Sequence, residues 1–116
     1  MIKVKFYTNE QCPYCSSIEQ NLIIAKFMLN KFCLFQIEKI TENNPNVPRL
    51  EFWNEEKIIS ELAGFPFIDK PNFQNLVVLR YLLMGIYHAS GIKRIEKLCY
   101  EIDKFYKGED TNAKLV

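Results

Sequence analysis

The sequence predicts an α/β fold: a four-stranded mixed sheet built in the order β-α-β then β-hairpin, with two helices at the C-terminal end. Three observations carry this. Ile2 to Tyr7, IKVKFY, alternates apolar and polar side chains with period two. From Pro13 the period changes, and Ile18, Leu22, Ala25, Leu29 and Phe32 recur at three- and four-residue spacing. After a second pair of strand-like runs, two apolar helical stretches fill most of the remaining chain. At 116 residues there is room for one domain around one core.

The first strand is followed by a polar turn from Thr8 to Gln11. The first helix then runs from Pro13 to about Lys31, and proline suits its first turn, where a missing N–H costs no hydrogen bond. Cys33 to Glu38 reads as the second strand, which a helical crossover places parallel to the first. Thr41 to Asn46, TENNPN, is a loop of turn formers. Arg49 to Trp53 reads as the third strand, Asn54-Glu55-Glu56 as a hairpin turn, and Lys57 to Leu62 as the fourth strand. Ala63 to Asn72, with Gly64, Pro66 and Pro71, reads as irregular. A strongly apolar helix spans Phe73 to about His88 and is interrupted at Ser90-Gly91. Ile92, Ile95, Leu98, Ile102 and Phe105 mark a last helix, with Gly108 as its stop. Residues 1–108 are thus expected to form the domain, and residues 109–116 a flexible polar tail.

Composition narrows the function classes. Apolar residues make up 48% of the chain and charged residues 25%, an ordinary globular balance. The formal charge is +1 and no basic block stands out, which argues against a nucleic-acid partner. No run approaches the ~20 apolar residues of a membrane span, and MIKVKFYTNE lacks the apolar core of a signal peptide. The expectation is a soluble cytoplasmic protein. In a reducing compartment, four cysteines point to metal binding or redox chemistry rather than to a disulfide scaffold. Cys33 and Cys99 fall in apolar, regular segments and read as buried free thiols, a regulatory disulfide between them being the less favoured reading. His88 reads as a residue near a helix C-terminus rather than a catalytic base. A zinc site at the remaining pair therefore lacks two further ligands. Trp53 and the stretch from Leu79 to Ile86 read as core. If the 73–88 helix is apolar all round, it offers a homodimer face.

The chemistry concentrates in Cys12-Pro13-Tyr14-Cys15. Cys12 falls immediately before the first helix and Cys15 one turn inside it. Unpaired N–H groups and the positive end of the helix dipole favour the thiolate of Cys12 over its thiol. Cysteines so placed have pKa values lowered to about 3.5–7.5, which makes them nucleophiles at neutral pH. Cys15 is positioned to attack a mixed disulfide formed at Cys12. The motif predicts thiol–disulfide exchange.

The element order is that of the thioredoxin fold, and Cys12-Pro13-Tyr14-Cys15 resembles the dithiol active site of the glutaredoxins. Val47-Pro48-Arg49, entering the third strand, resembles the Thr-Val-Pro segment of that family, with Asn46 in place of the threonine. His88-Ala89-Ser90-Gly91-Ile92 is similar to its closing helix–Gly–helix junction. The resemblance covers residues 1 to about 107. It implies that Cys12 attacks, that Cys15 resolves, and that Tyr14, Val47 and Pro48 line the substrate or glutathione site, Pro48 through a cis bond. It further implies glutathione as electron donor, disulfide-containing proteins as substrates, and a potential of about −200 to −230 mV.

The chain departs from that pattern in three places. Only residues 39–46 separate the second strand from Val47-Pro48, so the helix usual there is missing. Asn9 stands where a basic residue commonly binds a glutathione carboxylate. Ile58-Ile59-Ser60-Glu61 and a solitary Gly64 replace the Gly-Gly and its following anchor. The missing helix should open the surface beside Cys12 and Pro48 and suit a folded protein target. Two other readings stand beside the oxidoreductase: a non-catalytic partner-binding protein of this fold, and an iron–sulfur carrier ligating a cluster through Cys12 and glutathione.

Overall fold

A computed structural model of the chain describes residues 1–12, 14–43, 48–63 and 71–115, without the side chains of 71–75 and 105–115. Its elements are β1 (Ile2–Thr8), α1 (Cys15–Leu29), β2 (Phe35–Thr41), β3 (Arg49–Asn54), β4 (Lys57–Ala63), α2 (Pro71–Ser90) and α3 (Lys93–Leu115). The strands form one mixed sheet in the order β2-β1-β3-β4. β1 runs parallel to β2 and antiparallel to β3, and β4 is antiparallel to β3. The α/β class and the four-stranded mixed sheet are those the hydrophobic periods predict.

Period two decides which side chains enter the core. Ile2, Val4, Phe6, Leu50 and Phe52 point inward and are buried. Ile18, Leu22, Ala25 and Leu29 line the inner arc of α1, and Leu79, Leu82, Leu83 and Ile86 that of α2, in the same cluster. α2 touches α1, α3 and three of the strands. It packs tightly on β3 at Gly85, where a Cβ would lie 2.3 Å from Cζ of Phe52. Only glycine lets the helix come this near the ring.

Several boundaries differ from expectation. α1 starts at Cys15 rather than Pro13, which lies outside the described residues, and ends at Leu29, because the amides of Phe32 and Cys33 both turn back to the Leu29 carbonyl. That turn keeps Cys33 out of the strand and buries it, so β2 begins at Phe35. α2 begins at Pro71, two residues before Phe73, as proline in a first turn permits. α3 continues through Gly108 to Leu115, past the stop expected at Gly108. One interior glycine costs about 1 kcal/mol against alanine and does not by itself end a helix.

Trp53 is not core. It follows Phe52, and alternation sends it to the opposite face of the sheet, where it is half-exposed. That face carries Lys3, Lys5, Tyr7, Arg49, Glu51 and Trp53, which cover one another. The Lys5 Nζ lies 4.3 Å from the Trp53 ring centroid and the Arg49 guanidinium 3.9 Å from that of Tyr7. Seven residues, 42–48, join β2 to β3. Over the described part of α2, residues 76–90, the large apolar side chains are buried or half-buried within the chain.

Candidate redox site

The end of β1 delivers the chain to the cysteine pair through a turn built on Asn9. The Asn9 side-chain oxygen accepts from the Gln11 amide at 3.0 Å, and its carbonyl accepts from the Cys12 amide at 3.3 Å. An Asn side chain commonly shapes a turn this way. The first helical bond follows at once, from the Ile18 amide to the Tyr14 carbonyl at 3.2 Å. Tyr14 is therefore the N-cap and Cys15 the first helical residue, not one turn inside. Tyr14 makes no side-chain capping bond, and the first turn holds no acidic residue. No carboxylate in that turn offsets the positive end of the helix.

Cys12 and Cys15 are joined as a disulfide, with Cα atoms 5.5 Å apart. Their environments differ. Cys15 is buried at 6% exposure, whereas Cys12 is half-buried at the surface of the core cluster. Tyr14, between them in sequence, is 42% exposed.

The strand register brings Pro48 to this end of the sheet. Tyr7 pairs with Arg49, so Pro48 lies one step further along, level with Thr8 and the start of the Asn9 turn. Pro48 is buried. The Glu42 amide donates to the Thr8 carbonyl at 2.9 Å, which brings the end of β2 to the same place. Val47 and Asn46 lie outside the described residues.

Arg49 organises this edge. Its guanidinium meets Glu42 at 3.0 Å, Glu51 at 3.1 Å and Glu61 at 3.2 Å, and it stacks on Tyr7. The hydrogen bond to Glu42 is the leading cause holding its pKa above the usual value. The Tyr7 hydroxyl donates to Glu51 Oε1 at 2.7 Å, and Trp53 Nε1 donates to the same oxygen at 3.2 Å. Burial first, then the bond to Glu51, pushes the Tyr7 pKa up to about 12. One arginine faces three carboxylates, so this border of the site carries excess negative charge. The sequence reading missed this cluster, whose members come from four separate segments and meet only through strand pairing.

The other singled-out residues lie elsewhere. Asn54 Nδ2 donates to the Ala89 carbonyl at 3.0 Å, and Asn54 pairs with Ile2 at the opposite end of β1, so neighbouring His88 is far from Cys12. His88 stacks on Tyr87, and the cap of α2 is made instead by Gly91, at φ 71°, whose amide donates to the Tyr87 carbonyl at 2.7 Å. Cys33 and Cys99 are free and buried, and burial is the first cause raising both thiol pKa values. Among the described residues no three His, Cys, Asp or Glu side chains gather as metal ligands, and no helix is long and apolar enough to cross a membrane.

No protein-family model matches this chain, and no curated protein matches it.

Proposed function

We propose that this chain is a glutaredoxin-like thiol–disulfide oxidoreductase of thioredoxin-like fold, working through the Cys12/Cys15 dithiol. The observation that carries this is the disulfide-bonded pair at an uncapped helix N-terminus, level with a buried proline that opens β3. The strand order and the CPYC sequence support the same reading.

In the reduced protein the Cys12 thiolate attacks one sulfur of a target disulfide. The target S–S bond breaks, its second sulfur leaves as a thiolate that takes up a proton, and a mixed disulfide forms at Cys12. Cys15, deprotonated, then attacks the Cys12 sulfur, releasing the target as a dithiol and closing the Cys12–Cys15 disulfide. Two electrons pass to the target. Two molecules of glutathione return them to the protein and leave as glutathione disulfide. The greater exposure of Cys12 supports its role as attacking sulfur, and the burial of Cys15 suits a sulfur that reacts only within the protein. Tyr14, beside the pair, and the Val47-Pro48 backbone are the proposed substrate contacts, and a protein disulfide is the proposed target.

The test is reduction of a glutathione mixed disulfide, coupled to glutathione reductase and NADPH, by the wild type and by Cys12→Ser. Turnover by the wild type that the substitution abolishes is the expected result. An inactive wild type whose Cys12–Cys15 bond is still reduced by dithiothreitol would remove glutathione as donor. Activity retained by Cys12→Ser would overturn the mechanism.

A further inference from the structure

The outer side of α1 is as apolar as its buried side. Ile23, Ile24, Phe27 and Met28 are 60%, 46%, 78% and 36% exposed, and Leu34, just beyond the helix, is 71% exposed. At about 100° per residue, Ile23, Phe27 and Ile24 share one side of the helix. Gln20 and Lys31 lie on that same side, towards its two ends. Taking about 200 Å² for each large side chain, the four on α1 present on the order of 450 Å² of apolar surface. That is at the upper end of what a monomer exposes. It also approaches the apolar share, about 65%, of the ~800 Å² each partner buries in a standard homodimer interface.

We propose that this face of α1 is the contact between two copies of the chain, packed as antiparallel α1 helices about a two-fold axis. An axis between Ala25 and Lys26 sets Phe27 against Ile24 of the second copy, with Ile23 and Met28 on the two flanks of the contact. The same operation brings the Gln20 side-chain carbonyl to the Lys31 ammonium of the other copy, twice over. The surface is thus self-complementary, as an isologous contact requires. It is also a convex helix ridge rather than a groove, which suits another helix better than an extended peptide. Lys26 and Lys31 supply positive charge along it, and the nearby Lys39 is paired with Glu19, which leaves too little for an anionic lipid surface to be the favoured occupant. In this arrangement the two Cys12 sites sit at opposite ends of the helix pair, clear of the contact.

The mass of the wild type is measured by sedimentation equilibrium over a concentration series reaching about 0.3 mM, where a dimer of micromolar affinity is fully formed. The expected limit is twice 13.7 kDa. Phe27→Glu, at a position exposed enough to leave the fold intact, should weaken association by about thirty-fold or more. Gln20→Lys should weaken it several-fold, and combination with Lys31→Glu should restore it. A chain that stays monomeric throughout, or a Phe27→Glu variant that associates unchanged, overturns the proposal. So does a monomer that binds phosphatidylcholine–phosphatidylserine vesicles through Phe27. Failure of Gln20→Lys to weaken the dimer overturns the antiparallel arrangement.

Discussion

Arg49 links the proposed chemistry to the fold, because it follows Pro48 and its charge is already committed to three carboxylates. Glutathione is an anion at neutral pH, and among the described residues of this edge Arg49 does not meet it as an unpaired cation. Glu61, the most exposed of the three carboxylates at 53%, is the one to remove. Glu61→Gln should lower the KM for glutathione about two- to threefold with kcat unchanged, an effect that added salt erases. Steady-state kinetics at low and high salt check it, and an unchanged KM would mean that the cluster does not oppose the donor. Tyr7 supplies a second readout at this scale. Its phenol titrates near 10 when unfolded and at about 12 when folded. Between those values the folded chain holds a proton that the unfolded chain has lost, so stability falls as pH rises across that window. Denaturant midpoints across it should fall in the wild type, and the fall should flatten in Tyr7→Phe.

The elements depend on one close approach that no periodicity announces. α2 reaches the sheet at Gly85, where an added methyl would lie 2.3–2.6 Å from three carbons of the Phe52 ring. Gly85→Ala should therefore destabilise the protein by about 1–3 kcal/mol, despite the better helix propensity of alanine. Phe52→Leu should recover part of that loss in the double variant, a coupling measurable by chemical denaturation. If Gly85→Ala proves neutral or stabilising, α2 sits further from β3 than described. In the sequence Gly85 is a lone glycine inside a long apolar run, which reads as a defect and not as a contact. The strand and helix periods were legible because burial on one face writes itself into local spacing. Trp53 shows the complementary error: hydrophobicity suggested the core, while its parity relative to Phe52 already assigned it to the other face.

For the whole molecule, the legible part of the site is what lies within one short segment. Cys12 and Cys15 share a loop and a helix start, and their spacing alone brings them together. Pro48, Arg49, Glu42 and Glu61 reach the same end only because β1 pairs with β2 and β3, and β3 with β4, and no local pattern encodes that register. The same register sets the distance between the Cys12–Cys15 pair and the single tryptophan. Trp53 pairs with Lys3, whereas the path to Cys12 leaves β1 after Thr8. Five residues of strand separate the two levels, about 17 Å at ~3.3 Å per residue. Trp53 also sits on the outer face under Lys5, fixed by its bond to Glu51, away from the buried Cys15. Reducing the Cys12–Cys15 bond should therefore leave its emission nearly unchanged, while unfolding exposes the ring and shifts the emission. Since one cluster of buried side chains joins the strands to all three helices, denaturant unfolding followed by Trp53 fluorescence and by far-ultraviolet circular dichroism should give coincident curves. A large emission change on reduction in native buffer would mean that the two ends of the sheet are coupled. Separated unfolding curves would instead mean that α2 and α3 form a unit that opens before the sheet.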